Sequence, residues 1–141
     1  LDDIEFASKN TAVGHGAGSN IEDGDNNICI GTQSGPHTVD NDDNIMIGNY
    51  AGEGFDGDKN IIIGYHTAGG SFGPASGTGS RNIVIGDDAG SDMTHYEDDQ
   101  FRIETSTHKL MDGDFAAQTR TVNAATTITG TLYLGDPTVS G

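Results

Sequence analysis

The stretch Asn44-Ile-Met-Ile-Gly48-Asn-Tyr-Ala51-Gly52 decides the fold. It sets a short run of β-propensity residues between an Asn and a Gly, and the chain repeats that arrangement as Asn10-Thr-Ala-Val-Gly14, Asn27-Ile-Cys-Ile-Gly31, Asn60-Ile-Ile-Ile-Gly64 and Asn82-Ile-Val-Ile-Gly86. The anchoring Asn recurs after 17, 17, 16 and 22 residues, the longest interval holding a Gly/Ser-rich insert over 69–80. A period near 17 is too short for helical-hairpin repeats. Residues one and three after the Asn are β-branched in the later units (Ile28 and Ile30, Ile45 and Ile47, Ile61 and Ile63, Ile83 and Ile85), the period-two alternation of a strand with one Ile-lined face.

A second small-residue step follows each Gly corner: Ala17-Gly18, Ser34-Gly35, Ala51-Gly52, Ala68-Gly69 and Ala89-Gly90, with Thr67 reading as one residue extra. There the backbone must turn or approach a neighbour closely. Each unit therefore reads as strand, Gly corner, short arm, small-residue corner and acidic turn. Stacking such units about 4.8 Å apart makes a β-solenoid, expected over 1–92. The Asn at the same place in every unit is expected to bond the turn backbone or the next Asn, a structural ladder needing no ligand.

From about residue 93 the pattern changes to ordinary alternating strands, expected at 101–105, 109–111, 120–123 and 126–134, parted by Asp112-Gly-Asp114 and by Gly130. Thr and Val suit such half-buried pleated surfaces. The segment 93–141 reads as a β-meander or β-prism with its boundary at 93–99. No helix signal is present, so the fold class is all-β.

Composition agrees with a stack of coils and not with a round core. Of 141 residues, 22 are Gly, none is Trp and 33% are hydrophobic, and the net charge is −16. Scattered, so few apolar residues would leave a chain disordered; gathered in even clusters, they mark a repeat protein. Six basic residues against 22 acidic ones exclude a binder of nucleic acid phosphates. No apolar run approaches the roughly 20 residues of a membrane helix, and no basic stretch leads into an apolar one at the start. Opening on Leu1 and closing on Gly141, the sequence reads as a piece of a longer chain. Cys29, the single cysteine, allows no disulfide within the chain and suits a small packed side chain.

Candidate chemistry is sparse. The turns before three units carry Asp23 and Asp25, then Asp40, Asp42 and Asp43, then Asp56 and Asp58. Oxygen-rich Asp-x-Asp turns supply the hard ligands that Ca²⁺ takes, although none has the full spacing of a helix-loop-helix calcium loop, and Asp and Gly are also simply good turn residues. His15, His37, His66, His95 and His108 fall in unrelated contexts, without zinc spacing or an ordered nucleophile partner, and no catalytic constellation emerges. The expectation is a protein that is not an enzyme. Tyr50, Tyr65 and His66 follow corner glycines, where amphipathic rings either pack at the corner or face outward toward carbohydrate or protein.

A single thin coil stack of this composition buries less apolar surface than ordering its backbone demands. Winding three chains about one axis would let the Ile face meet neighbouring chains, so a homotrimer is expected. The Asn-x-x-(Ile/Val)-Gly-x-x-Ala-Gly units, as in Asn10 to Gly18 and Asn44 to Gly52, resemble the repeats of bacteriophage tail fibre proteins and, more distantly, the head repeats of trimeric autotransporter adhesins. The run Phe101-Arg-Ile-Glu-Thr, then Leu110-Met-Asp-Gly-Asp-Phe115, then Thr131-Leu-Tyr-Leu-Gly135, is similar to the segment that follows such repeats in tail fibres. There it commonly precedes a self-cleaving chaperone domain, which this sequence lacks. The resemblance implies an elongated trimeric shaft in the virion tail, joined to other tail fibre or baseplate proteins and positioning contact with a host-surface receptor, glycan or protein. The alternative is a cellular trimeric adhesin or surface filament at the cell surface or outside the cell.

Overall fold

Three-residue runs such as Ile-Met-Ile are too short to fold alone, and they become strands here because identical runs stack on one another in register. The computed structural model describes residues 7–35, 40–68, 79–91 and 98–122. Among them lie eight strands and no helix: β1 (Thr11–Val13), β2 (Ile28–Ile30), β3 (Ile45–Ile47), β4 (Ile61–Ile63), β5 (Ile83–Ile85), β6 (Gln100–Thr105), β7 (His108–Asp114) and β8 (Thr119–Val122). They form one sheet in chain order, parallel from β1 to β6 and antiparallel from β6 to β8. Each parallel step pairs equivalent residues, as Ile28 with Ile45 and Ile45 with Ile61. The chain is a β-solenoid, and the 22-residue step from Ile61 to Ile83 keeps the same register despite its insert.

The corner Gly is required twice over. Gly48 has φ +132, and a Cβ there would run into the carbonyl of Gly64 in the next coil; Gly14, Gly31, Gly64 and Gly86 repeat the geometry. Immediately before each ladder residue stands a left-handed residue at φ near 60: Lys9, Asn26, Asp43, Lys59, Arg81 and Asp99. These two bends limit each of β1 to β5 to three residues and turn the chain into the next coil.

The interior is not built on the Ile-lined face. The middle residue of β2 to β5 points inward: Cys29, Met46, Ile62 and Val84 are at most 1% exposed, while the flanking Ile residues are half-buried or, at Ile30, exposed. Alternation puts one residue of three on each inner face, and in this curl the inner face takes the middle one. Phe55 and Ile21, both in turns, fill the rest of the core with Ala17, Ala51 and Ala89. Thr67 is not extra. Its carbonyl accepts from the Gly52 N–H at 2.9 Å, as that of Ala51 accepts from Gly35, so the pair equivalent to Ala51-Gly52 is Thr67-Ala68, with Ala68 at φ 50. The Ala68-Gly69 pairing is thereby shifted by one residue.

Strand β6 belongs to the solenoid as a sixth coil, with Phe101 beside Ile83, Arg102 beside Val84 and Ile103 beside Ile85. The sheet therefore crosses the expected boundary at 93–99, although residues 92–97 lie outside the described ones. Asp112-Gly-Asp114 is strand and not turn: it pairs with Gln100, Phe101 and Arg102 across β6 and β7, and the reversal falls at 115–118 instead. Residues 126–134, read as a strand, lie outside the described residues.

Candidate functional site

Three columns of side chains run along the stack. The first is the Asn ladder. Asn27, Asn44, Asn60 and Asn82 are wholly buried, and the Oδ1 of each Asn accepts the backbone N–H of the next: from Asn10 to Asn27 at 2.7 Å, Asn27 to Asn44 at 3.0 Å, Asn44 to Asn60 at 2.9 Å and Asn60 to Asn82 at 3.0 Å. Asn82 passes the pattern to the N–H of Gln100 at 2.7 Å, which makes Gln100 the sixth anchor. The amide nitrogens of Asn10, Asn27 and Asn60 donate to turn carbonyls at Gly24, Asn41 and Gly79. A side-chain amide accepts through its oxygen and donates through its nitrogen at the same spot.

The second column stands two residues before each anchor: Ser8, Asp25, Asp42, Asp58, Ser80 and Asp98. Its oxygens accept backbone N–H groups from the preceding coil: Asp25 from Ser8 at 2.6 Å, Asp42 from Asp25 at 2.6 Å, Asp58 from Asp42 at 2.9 Å, Ser80 from Asp58 at 3.1 Å and Asp98 from Ser80 at 2.7 Å. The hydroxyl and backbone N–H of Ser8 hold the Asp25 carboxyl below its ordinary range. Arg81 braces the far end, its guanidinium 2.6 Å from Asp99 and 3.1 Å from Asp98, and lowers the Asp99 carboxyl through that hydrogen bond.

Of the seven acidic residues read as calcium ligands, Asp25, Asp42 and Asp58 are thus backbone braces. Asp23, Asp40 and Asp56 stand in another column two residues earlier, and Asp43 occupies a left-handed position. Among the described residues no three His, Cys, Asp or Glu side chains come together in a group fit for a metal ion. The ladder role of the second column was missed because Asp-x-Asp reads equally well as turn and as ligand. The signal was the spacing, two residues before every Asn, with Ser8 and Ser80 substituting for Asp.

The third column carries the rings. Tyr50, Tyr65 and His66, which the sequence picks out, come together: the Tyr50 and Tyr65 rings lie 6.2 Å apart at 83°, Tyr50 and His66 6.3 Å apart at 63°, and Tyr65 and His66 6.1 Å apart. His66 Nδ1 lies 2.8 Å from Asp88 Oδ1. With Gln33 and Glu53 these residues line an open groove of about 480 Å³. Tyr65 is 57% exposed, and Tyr50 and His66 are half-buried.

At the end of the solenoid, Arg102 stands beside the core residue Val84 and Glu104 beside the corner Gly86, and they are 7% and 6% exposed. Arg102 lies 3.9 Å from Glu104 and 3.8 Å from Asp112, Lys109 lies 3.8 Å from Glu104, and Glu104 accepts the Gly90 N–H at 2.7 Å. This cluster is a polar lid on the apolar interior.

The chain matches no protein-family model, no curated protein and no solved structure.

Proposed function

We propose that this chain is a shaft segment of a homotrimeric fibre, of the kind that phage tails use to reach a host surface, and that its role is mechanical and not catalytic. The observation that carries this reading is the outward Ile face. Ile28, Ile45, Ile61 and Ile83 stack in one column, ending on Phe101, and Val13, Ile30, Ile47, Ile63, Ile85 and Ile103 stack in the other. None of these side chains is buried within the chain, and Val13 and Ile30 are 58% and 37% exposed. The two columns, one of six apolar residues and one of five with Thr11 at the first coil, make an uncharged strip on the order of 24 Å long, at about 4.8 Å per step. An acidic chain that keeps carboxylates out of one contiguous apolar strip has a surface suited to burial against its own kind.

The sequence likeness to tail fibre repeats supports three chains about one axis and a place in the virion tail, joined to other fibre or baseplate proteins and supporting adsorption to the host cell. Sedimentation equilibrium at several concentrations tests the assembly. The expected species has three times the 14.6 kDa chain mass, and Ile47→Lys with Ile63→Lys dissociates it while β-structure remains. A stable monomer at the highest concentration overturns the reading.

A further inference from the structure

We infer that the groove between Tyr50, Tyr65 and His66 is a binding site for a neutral saccharide on the side of the shaft. Its backbone carries the first argument. The residue two after each corner Gly is left-handed in five coils: Gly16 at φ 67, Gln33 at 51, Tyr50 at 60, His66 at 52 and Asp88 at 55. Glycine takes that conformation freely, whereas a bulky side chain holds it at a cost of about 1–2 kcal/mol. The first coil uses Gly, and the next four place Gln, Tyr, His and Asp there. The same corner is left-handed in all five coils, so it belongs to the repeat, and it sets Tyr50 and His66 at equivalent places one coil apart with Tyr65 beside them.

The side chains supply the second argument. Tyr50 and Tyr65 meet edge to face, which leaves ring faces turned in two directions and lines the groove with apolar walls. Gln33, Glu53 and Asp88 stand at its rim and offer an amide and two carboxylates. Ring faces take up the C–H side of a pyranose, and paired oxygens accept from vicinal hydroxyls, the division of labour expected of a small-ligand site with apolar walls and a few convergent polar groups. Its volume of about 480 Å³ lies in the range of roughly 300–1,000 Å³ found for such sites. The ligand class follows from charge. Two rim carboxylates, on a chain of net charge −16, repel sulfated or sialylated sugars, and the Nδ1 of His66 is already engaged by Asp88.

The groove is built from one chain, so it does not depend on threefold assembly, and sedimentation of the same sample keeps the two questions apart. The test is ligand-observed saturation-transfer NMR on the full chain with maltose, lactose, cellobiose and mannobiose. At least one is expected to receive saturation at its ring C–H protons with a dissociation constant in the millimolar range. Tyr65→Ala is expected to weaken binding about tenfold with an unchanged melting temperature, since that ring is largely exposed, and Asp88→Asn is expected to weaken it as well. The inference is overturned if none of the four sugars receives saturation at about 20 mM, if Tyr65→Ala binds as the parent does, or if sialyllactose binds more tightly than the neutral sugars.

Discussion

The side-chain oxygen of Asn44 accepts the backbone N–H of Asn60 at 2.9 Å, inside a coil stack from which water is excluded. At Asn60 the backbone ladder uses the carbonyl, which accepts from the Ile45 N–H, and the Asn44 side chain supplies the acceptor for the N–H. Asn44→Ala orphans the Asn60 N–H and strips a donor from Asn27, each worth about 1–3 kcal/mol when buried. Chemical denaturation should show a loss of that order, with fast amide exchange at Asn60.

Gly48 and Gly16 both have positive φ, but their surroundings differ. At Gly48 a Cβ meets the Gly64 carbonyl, and at Gly16 it meets only the flexible Gln33 side chain at 3.4 Å. Gly16→Ala should cost about 1–2 kcal/mol, and Gly48→Ala should abolish the cooperative melt followed by circular dichroism.

Burial pushes the Cys29 thiol up to about 11 from its ordinary 9.0. A raised value in the folded state means that its contribution is fully present below pH 9 and is lost as pH rises through about 11. Native protein at pH 8 should resist iodoacetamide until denatured. Between pH 8 and pH 10 the parent should lose about 1.4 kcal/mol more stability than Cys29→Ala.

The carboxyls of Asp25 and Asp99 are lowered below the ordinary 3.8, the first by the Ser8 hydroxyl and the second by Arg81. Lowered values in the folded state mean stability that is present above about pH 4 and lost as pH falls through the folded midpoints. Carbon-detected NMR titration should find both midpoints below those of exposed Asp residues, and Ser8→Ala should return Asp25 toward them.

Much of the solenoid was legible because its rules are local. The Asn, the β-branched run and the Gly each have one dominant physical reason, and the register of all five coils follows from their spacing. The direction of the faces was not legible, because Ile-Met-Ile is apolar on both sides and alternation alone does not say which side curls inward. The sixth coil was hidden for a related reason: Gln100 replaces Asn, Glu104 replaces Gly, and Arg102 stands where an apolar residue is the rule. Of the candidate site, the three rings were visible as residues that follow corner glycines, but their meeting across two coils depends on stacking that no single unit encodes.

That sixth coil has a consequence for growth. A stack of identical coils is a template, and any exposed last coil invites another chain to continue it, as in amyloid. Here β7 already occupies the free edge of β6 in the opposite direction, and a newcomer seeking an apolar seat would find the guanidinium of Arg102 and the carboxylate of Glu104. The parallel stack therefore stops at β6, where the sheet turns antiparallel over a charged pair instead of an apolar coil.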